Sequence, residues 1–317
     1  MATYSVIFKA VLMVFGVIGL GVWLRKARII PHEVDRPLSR LVIMIFYPAL
    51  IFDKIAGNPG LGNDGNLIWA PMMGLLTVSM GYLICWLVAP LFGLRERKTR
   101  GTFSFTTGMY NYGFVPIPLA MALFDDQTVG VIFLHNIGVE IGLWSIGLIL
   151  LTGHWEPRSL KRLLNMPILA IVLSVSLTLL SLDTWIPGFL RGSITLLGSA
   201  SIPVALLLIG MSMGEHLSCG IARSTIKVGV AGVLLRLGLL PVLMLTLAYF
   251  VPMSVELKRI VALQAAMPSA VFPVVLANVY GGDPRTAIRV ILATSAVSLF
   301  TIPIWLSIGL QWLGVGM

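Results

Sequence analysis

Asn111 and Glu140 are the residues whose chemistry fits least with their surroundings. Asn111 lies in GMYNYGFVPIPL, residues 108–119, inside a run apolar enough to cross a bilayer. Glu140 lies within a second such run, 128–151, with His135 and Asn136 about one turn before it. An amide can donate to a carboxylate. An ionised acid in hydrocarbon is costly, so it marks a pathway or has a partner. Together these types suggest recognition of an anion, with Glu140 carrying a proton or organising the site. Pairing with Arg236, or burial as a neutral acid, are the structural alternatives for Glu140.

Two prolines, Pro116 and Pro118, follow Asn111, and Pro268 and Pro273 stand in AMPSAVFPVVLANVYGGD, 266–283. An interior proline costs a helix about 3 kcal/mol. Counting 1.5 Å per helical residue puts Asn111 about 15 Å deep, Glu140 about 18 Å, and Pro268 to Pro273 about 12 to 20 Å, so the motifs meet near mid-membrane. Unpaired backbone at that depth must line a cavity enclosed by protein or water. The positive ends of two half-helices would then favour a carboxylate. Tyr112, Gln264 and Ser269 are further polar candidates near the crossing. Plainer readings stand beside these: ordinary kinks, an interhelical amide bond from Asn111, a packing role for His135, and an Arg236 that snorkels to the interface.

The elements that carry these residues follow from composition. The 317 residues are 57% hydrophobic and 11% charged, with a formal net charge of +9. A mean hydropathy of +0.96 excludes a soluble domain and defines an integral membrane protein. The excess of basic residues lies in short segments between apolar runs, which argues for orientation in the bilayer and against nucleic-acid binding. Cys85 and Cys219 suit packing better than a disulfide framework or a metal cage. The first apolar run lacks the basic start and small-residue cleavage pattern of a leader and is expected to stay in the mature protein.

Apolar runs predict an all-α fold of ten spans: 4–24, 37–53, 67–92, 101–124, 128–151, 166–182, 189–213, 228–250, 260–280 and 287–312. The second is the weakest, and Pro37 could open it. Alternate loops carry Lys and Arg in the ratio fifteen to four. Cytoplasmic loops retain positive charge, so both termini are expected outside the plasma (inner) membrane. Pro48 and Pro203 are 155 residues apart, as are Pro118 and Pro273. Five spans separate equivalent points, so the second half enters from the opposite face, an inverted repeat dividing at 1–155 and 156–317. Paired interrupted helices, the fourth and ninth, mark a secondary transporter with a midplane site. No GxxxxGK[ST] motif offers ATP drive, and neither HExxH nor a convincing catalytic pair offers an enzyme.

At these residues the sequence resembles the auxin efflux carrier family of membrane transporters. Asn111 and Pro118 in NYGFVPIPL match its fourth helix, AAMPSAVFPVVLANVY (265–280) resembles its ninth, and SIPVALLLIGMSM (201–213) resembles its seventh. The resemblance implies broken helices four and nine crossing one another. It also implies a scaffold of spans 1, 2, 6 and 7 beside a transport group of spans 3–5 and 8–10, and movement of an organic anion such as auxin or a dicarboxylate. With the depth count, the residues expected about the substrate are Asn111, Tyr112, Pro118, Gln264, Pro268, Ser269 and Pro273, with Glu140, Asn136 and His135 coupling or organising. Pro116 departs from the family, which often has glycine there. No cofactor or metal is implied, and coupling to protons, sodium or voltage stays open. The partners expected are the anion, the bilayer and a second copy in a homodimer. A sodium-coupled carrier of the bile-acid symporter type is the alternative within transporters, and a channel or membrane sensor the alternative outside them.

Overall fold

A chain this apolar must satisfy its own backbone, and helices do so within each segment. The computed structural model describes residues 2–61, 65–155, 157–216 and 223–317. Among these there is no strand, only one isolated bridge between Tyr110 and Ser269. Cys219 lies outside the described residues.

Helix α1 spans Ala2–Lys26 and α2 covers 35–55, with a wider turn at Val42–Phe46. Helix α3 is Asn66–Val88, α4 is Arg97–Gly108, α5 is Pro116–Leu123 and α6 is Asp126–Thr152. Helix α7 is Met166–Leu179, α8 is Gly188–His216 and α9 covers 223–250. Helix α10 is Val255–Ala265, α11 is Phe272–Val279 and α12 is Pro284–Trp312. Six of them, α1, α3, α6, α8, α9 and α12, contain stretches long and apolar enough to cross a membrane. The weak second run starts at Asp35, two residues before Pro37, and Asp35 pairs with the buried Arg25. Pro37 then sits in the first turn, where its missing N–H has no helical partner to lose.

Polarity is distributed for lipid. Phe189, Leu196 and Phe250 are more than 70% exposed, whereas Thr102, Ser104, Thr106, Thr107 and Gln264 are fully buried. Hydroxyls turn inward and bond the preceding helical turn, as Thr102 does to Lys98 O and Ser104 to Arg100 O. Cys85 is a buried packing thiol among Ala89, Phe103 and Val228.

Small residues let α3 and α6 pack backbone to backbone, the usual device where lipid removes a hydrophobic drive between helices. A methyl on Gly138 would overlap the Pro71 carbonyl and lie 2.6 Å from Leu75 N. Overpacking of this kind costs about 1–3 kcal/mol. Gly138→Val should therefore lower the detergent melting midpoint by several degrees, measured by size exclusion after heating. A midpoint equal to wild type would contradict this contact.

Outside the spans, Asp125 caps α6 by accepting Thr128 N–H (2.8 Å) and also accepts Arg259 Nη1 (2.9 Å). Burial acts to raise its pKa, but the hydrogen bonds from Thr128 and Arg259 outweigh it and hold the carboxyl below its ordinary value. Its stabilisation is complete above the unfolded value of about 4 and is lost as pH falls through the folded one. The midpoint should fall on acidification below about pH 4, less steeply in Asp125→Asn. Identical acid profiles in the two proteins would exclude the contribution.

Candidate functional site at the crossing of two interrupted helices

Between α4 and α5, and between α10 and α11, the chain leaves helix and runs extended. Pro268 supplies no N–H and disfavours helix at Met267, so α10 stops at Ala265. Pro116 is the first residue of α5, and Pro273 stands at the start of α11, positions where a missing N–H costs nothing. The departure at Pro116 is thus a helix start. Pro118 lies in the same first turn of α5 and is buried.

The two extended stretches bond to each other. Asn111 N–H donates to Pro268 O (2.8 Å) and Ala270 N–H donates to Met109 O (2.9 Å), making the Tyr110–Ser269 bridge. Groups freed by the breaks are thereby paired. Ser269 N–H also reaches Thr294 Oγ1 at 3.3 Å.

Arg236, expected to snorkel, is instead fully buried behind this crossing. It donates through Nε to Met267 O (3.0 Å) and through Nη2 to Ala265 O (3.0 Å) and Gln264 O (3.3 Å). A cation there offsets the negative end of α10 and satisfies carbonyls that have lost their helical donors. Its guanidinium also stacks 5.2 Å from the Tyr110 ring. The equivalent end of α4 is held without charge, by Gly81 packed against Gly108.

Glu140 does not pair with Arg236. Its Oε1 accepts Tyr112 Oη–H at 2.6 Å and its Oε2 accepts Trp144 Nε1–H at 2.9 Å. Tyr112 O in turn accepts Asn136 Nδ2 (2.9 Å) and Gln264 Nε2 (3.2 Å), so one tyrosine ties α6 and α10 to the crossing. His135 is fully buried, with Nδ1 3.5 Å from Asn136 Oδ1 and its ring against Tyr110.

A cavity of about 420 Å³ opens against this arrangement, walled by α2, α6, α7, α8 and both interrupted stretches. Of the residues named from sequence, Asn111, Tyr112, Asn136 and Glu140 line it. Gln264, Pro268, Ser269 and His135 stand behind its wall against the crossing, and Pro118 and Pro273 lie in the first turns of α5 and α11 without lining it. Sequence reasoning missed Trp144, and with it the aromatic wall of Tyr47, Phe114, Phe133 and Phe272. A signal was available: Asn136, Glu140 and Trp144 recur every four residues and so share one face of α6. Among the described residues no lysine or arginine lines the cavity. The site therefore presents the Asn111 amide, the starts of α5 and α11 and one acid in an apolar chamber.

Together with six helices long and apolar enough to cross a bilayer, such a chamber fits an integral membrane protein. The chain belongs to the membrane transport protein family, that of the auxin efflux carriers, whose sequence profile matches residues 6–161 and 155–306. It is 27% identical over 301 residues to an uncharacterized transporter of Methanothermobacter thermautotrophicus, covering 94% of this chain and 96% of the relative. It is 25% identical to an uncharacterized transporter of Methanocaldococcus jannaschii, covering 93% and 96%.

Proposed function

We propose that this protein is a secondary transporter that carries a small organic anion by alternating access, with the crossing as its binding site. The observation that carries the reading is the cavity against the crossing: Asn111 lines it, and α5 and α11 begin at the breaks beside it. Helix N-termini favour an anion by partial charges, without a competing salt bridge.

Ten spans in two inverted groups, 1–155 and 156–317, are supported by the way contacts exchange. Helix α1 packs on α8 as α7 packs on α2, and α3 packs on α6 as α9 packs on α12. Helices α2 and α8 meet each other at the centre. A scaffold of α1, α2, α7 and α8 then faces a transport group of the remainder, and the cavity lies between them.

Ser39, Asn165 and Ser212 of the wall lie toward the strongly basic loops, which favours a cavity open to the cytoplasm and termini outside. At the other end α2 is tied to α6: Lys54 Nζ meets Asp126 Oδ1 at 3.0 Å, and Asn58 Nδ2 donates to Asp126 O at 2.7 Å. Opening outward requires these contacts to separate.

The wall chemistry selects one acid group on an apolar, flat body. A dicarboxylate would turn its second charge toward aromatic rings or toward Glu140. Counterflow tests the reading: purified protein in vesicles preloaded with phenylacetate should accumulate labelled phenylacetate transiently above protein-free vesicles, with succinate a weak competitor. Absence of overshoot across a panel of carboxylates, or competition by phenethylamine alone, would overturn it. Varying sodium separately distinguishes the bile-acid symporter type, which would need it, and conductance without saturable exchange would mark a channel.

A further inference from the structure

We infer that Glu140 and the substrate carboxylate take turns as the one negative charge of the cavity, so that each monocarboxylate anion moves with one proton. The inference rests on the proposed function and adds its coupling ion.

Glu140 is built into the cavity wall as a carboxylate acceptor. Each of its oxygens receives one donor, Tyr112 Oη–H and Trp144 Nε1–H, and both donor residues line the same chamber. These donors are what an entering carboxylate would seek, and Glu140 occupies them first. Beyond Asn111, the other amides of the wall are spent, Asn136 Nδ2 on Tyr112 O and Asn165 Nδ2 on Arg162 O.

Among the described residues, no lysine or arginine lines the cavity to neutralise a second acid. Arg236 is fully buried behind the crossing with Nε and Nη2 held by three backbone carbonyls, which keeps it out of the cavity. Arg162 is exposed and stacks over the rings of Trp144 and Tyr280, 5.1 Å from each centroid. Among the described residues, the other titratable side chains beside Glu140 are phenols, neutral at physiological pH: Tyr112 from the crossing, Tyr47 from α2 and Tyr82 from α3. His135, on the same helix, is fully buried and turned to Asn136 and Tyr110. From α10 the uncharged Gln264 reaches Tyr112 O and Asn136 behind the wall. Two carboxylates sharing such a site do not both ionise.

The step balances simply. One proton from cytoplasmic water binds a Glu140 oxygen, which becomes a donor, and Tyr112 Oη–H is released to the incoming carboxylate. The loaded site then carries the same net charge as the empty one. Transport is electroneutral, and release of anion and proton on the far side restores the Glu140–Tyr112 hydrogen bond.

Two readouts test this, one of them free of substrate. In nanodiscs, the fluorescence difference between wild type and Trp144→Phe should show a one-proton step with pH, absent when Glu140→Gln is added. Saturating phenylacetate should move that step to higher pH by about one unit, the signature of tenfold coupling. In vesicles, phenylacetate influx above the protein-free rate should bring one proton per anion, read by internal pyranine, and should ignore a valinomycin-clamped potential. In Glu140→Gln the proton signal should vanish and the pH profile flatten. Wild-type influx driven by voltage without protons, or an unchanged proton ratio in Glu140→Gln, would overturn the coupling while leaving the proposed function intact. No phenylacetate flux in the wild type would instead overturn the proposed function and the coupling with it.

Discussion

Asn111→Ala should cut phenylacetate uptake at subsaturating concentration about ten- to a hundredfold, because a hydrogen bond to a charged group contributes about 1.5–3 kcal/mol and 1.4 kcal/mol is tenfold. Folding should survive, since the crossing is held by the Asn111 backbone N–H and not by its side chain. That side chain lines the cavity and, among the described residues, has only a long contact, from Val115 N–H at 3.5 Å. The loss should appear as a raised KM with normal membrane insertion. Wild-type saturation kinetics in the variant would remove Asn111 from the site.

Arg236→Met should be the most destabilising single change in the crossing. Three buried carbonyls, of Gln264, Ala265 and Met267, would lose their donor together, and the thioether of Met244 beside them cannot donate. Removing one partner of a buried charged arrangement costs about 3–5 kcal/mol. At about 2–4 °C per kcal/mol, the melting midpoint in detergent should fall by about 10 °C. Arg236→Lys should recover part of it, because an ammonium cannot reproduce the fork that reaches carbonyls of three residues. A midpoint within a degree of wild type would mean that the end of α10 is satisfied some other way.

Much of the arrangement could be read before any coordinates. Alternating basic loops, the paired prolines and the polar residues buried in apolar runs are large signals, because lipid penalises each of them unless something compensates. Asn111, Tyr112, Asn136 and Glu140 were legible for that reason, and they line one cavity. What escaped was three-dimensional. Arg236 looked like an interfacial side chain because its distance from the loop gives depth but not direction, and its partners are backbone carbonyls that no sequence pattern displays. Trp144 was hidden among eight tryptophans, several of them at span ends. Pro116, read from sequence only as a departure from the family's usual glycine, is the first residue of α5. His135 and Gln264 lie beside the crossing, yet they brace the wall from behind, a distinction set by helix rotation.

The central claim is that the chamber against the crossing is where the anion sits, reached from the side of the basic loops. Val271 lines that chamber, at the residue before α11. In a background lacking Cys85 and Cys219, Val271→Cys should react with an impermeant maleimide only when the cytoplasmic face is exposed. Phenylacetate should slow that reaction in proportion to its occupancy in counterflow. Equal labelling from either face, or labelling that saturating phenylacetate leaves unchanged, would contradict the account.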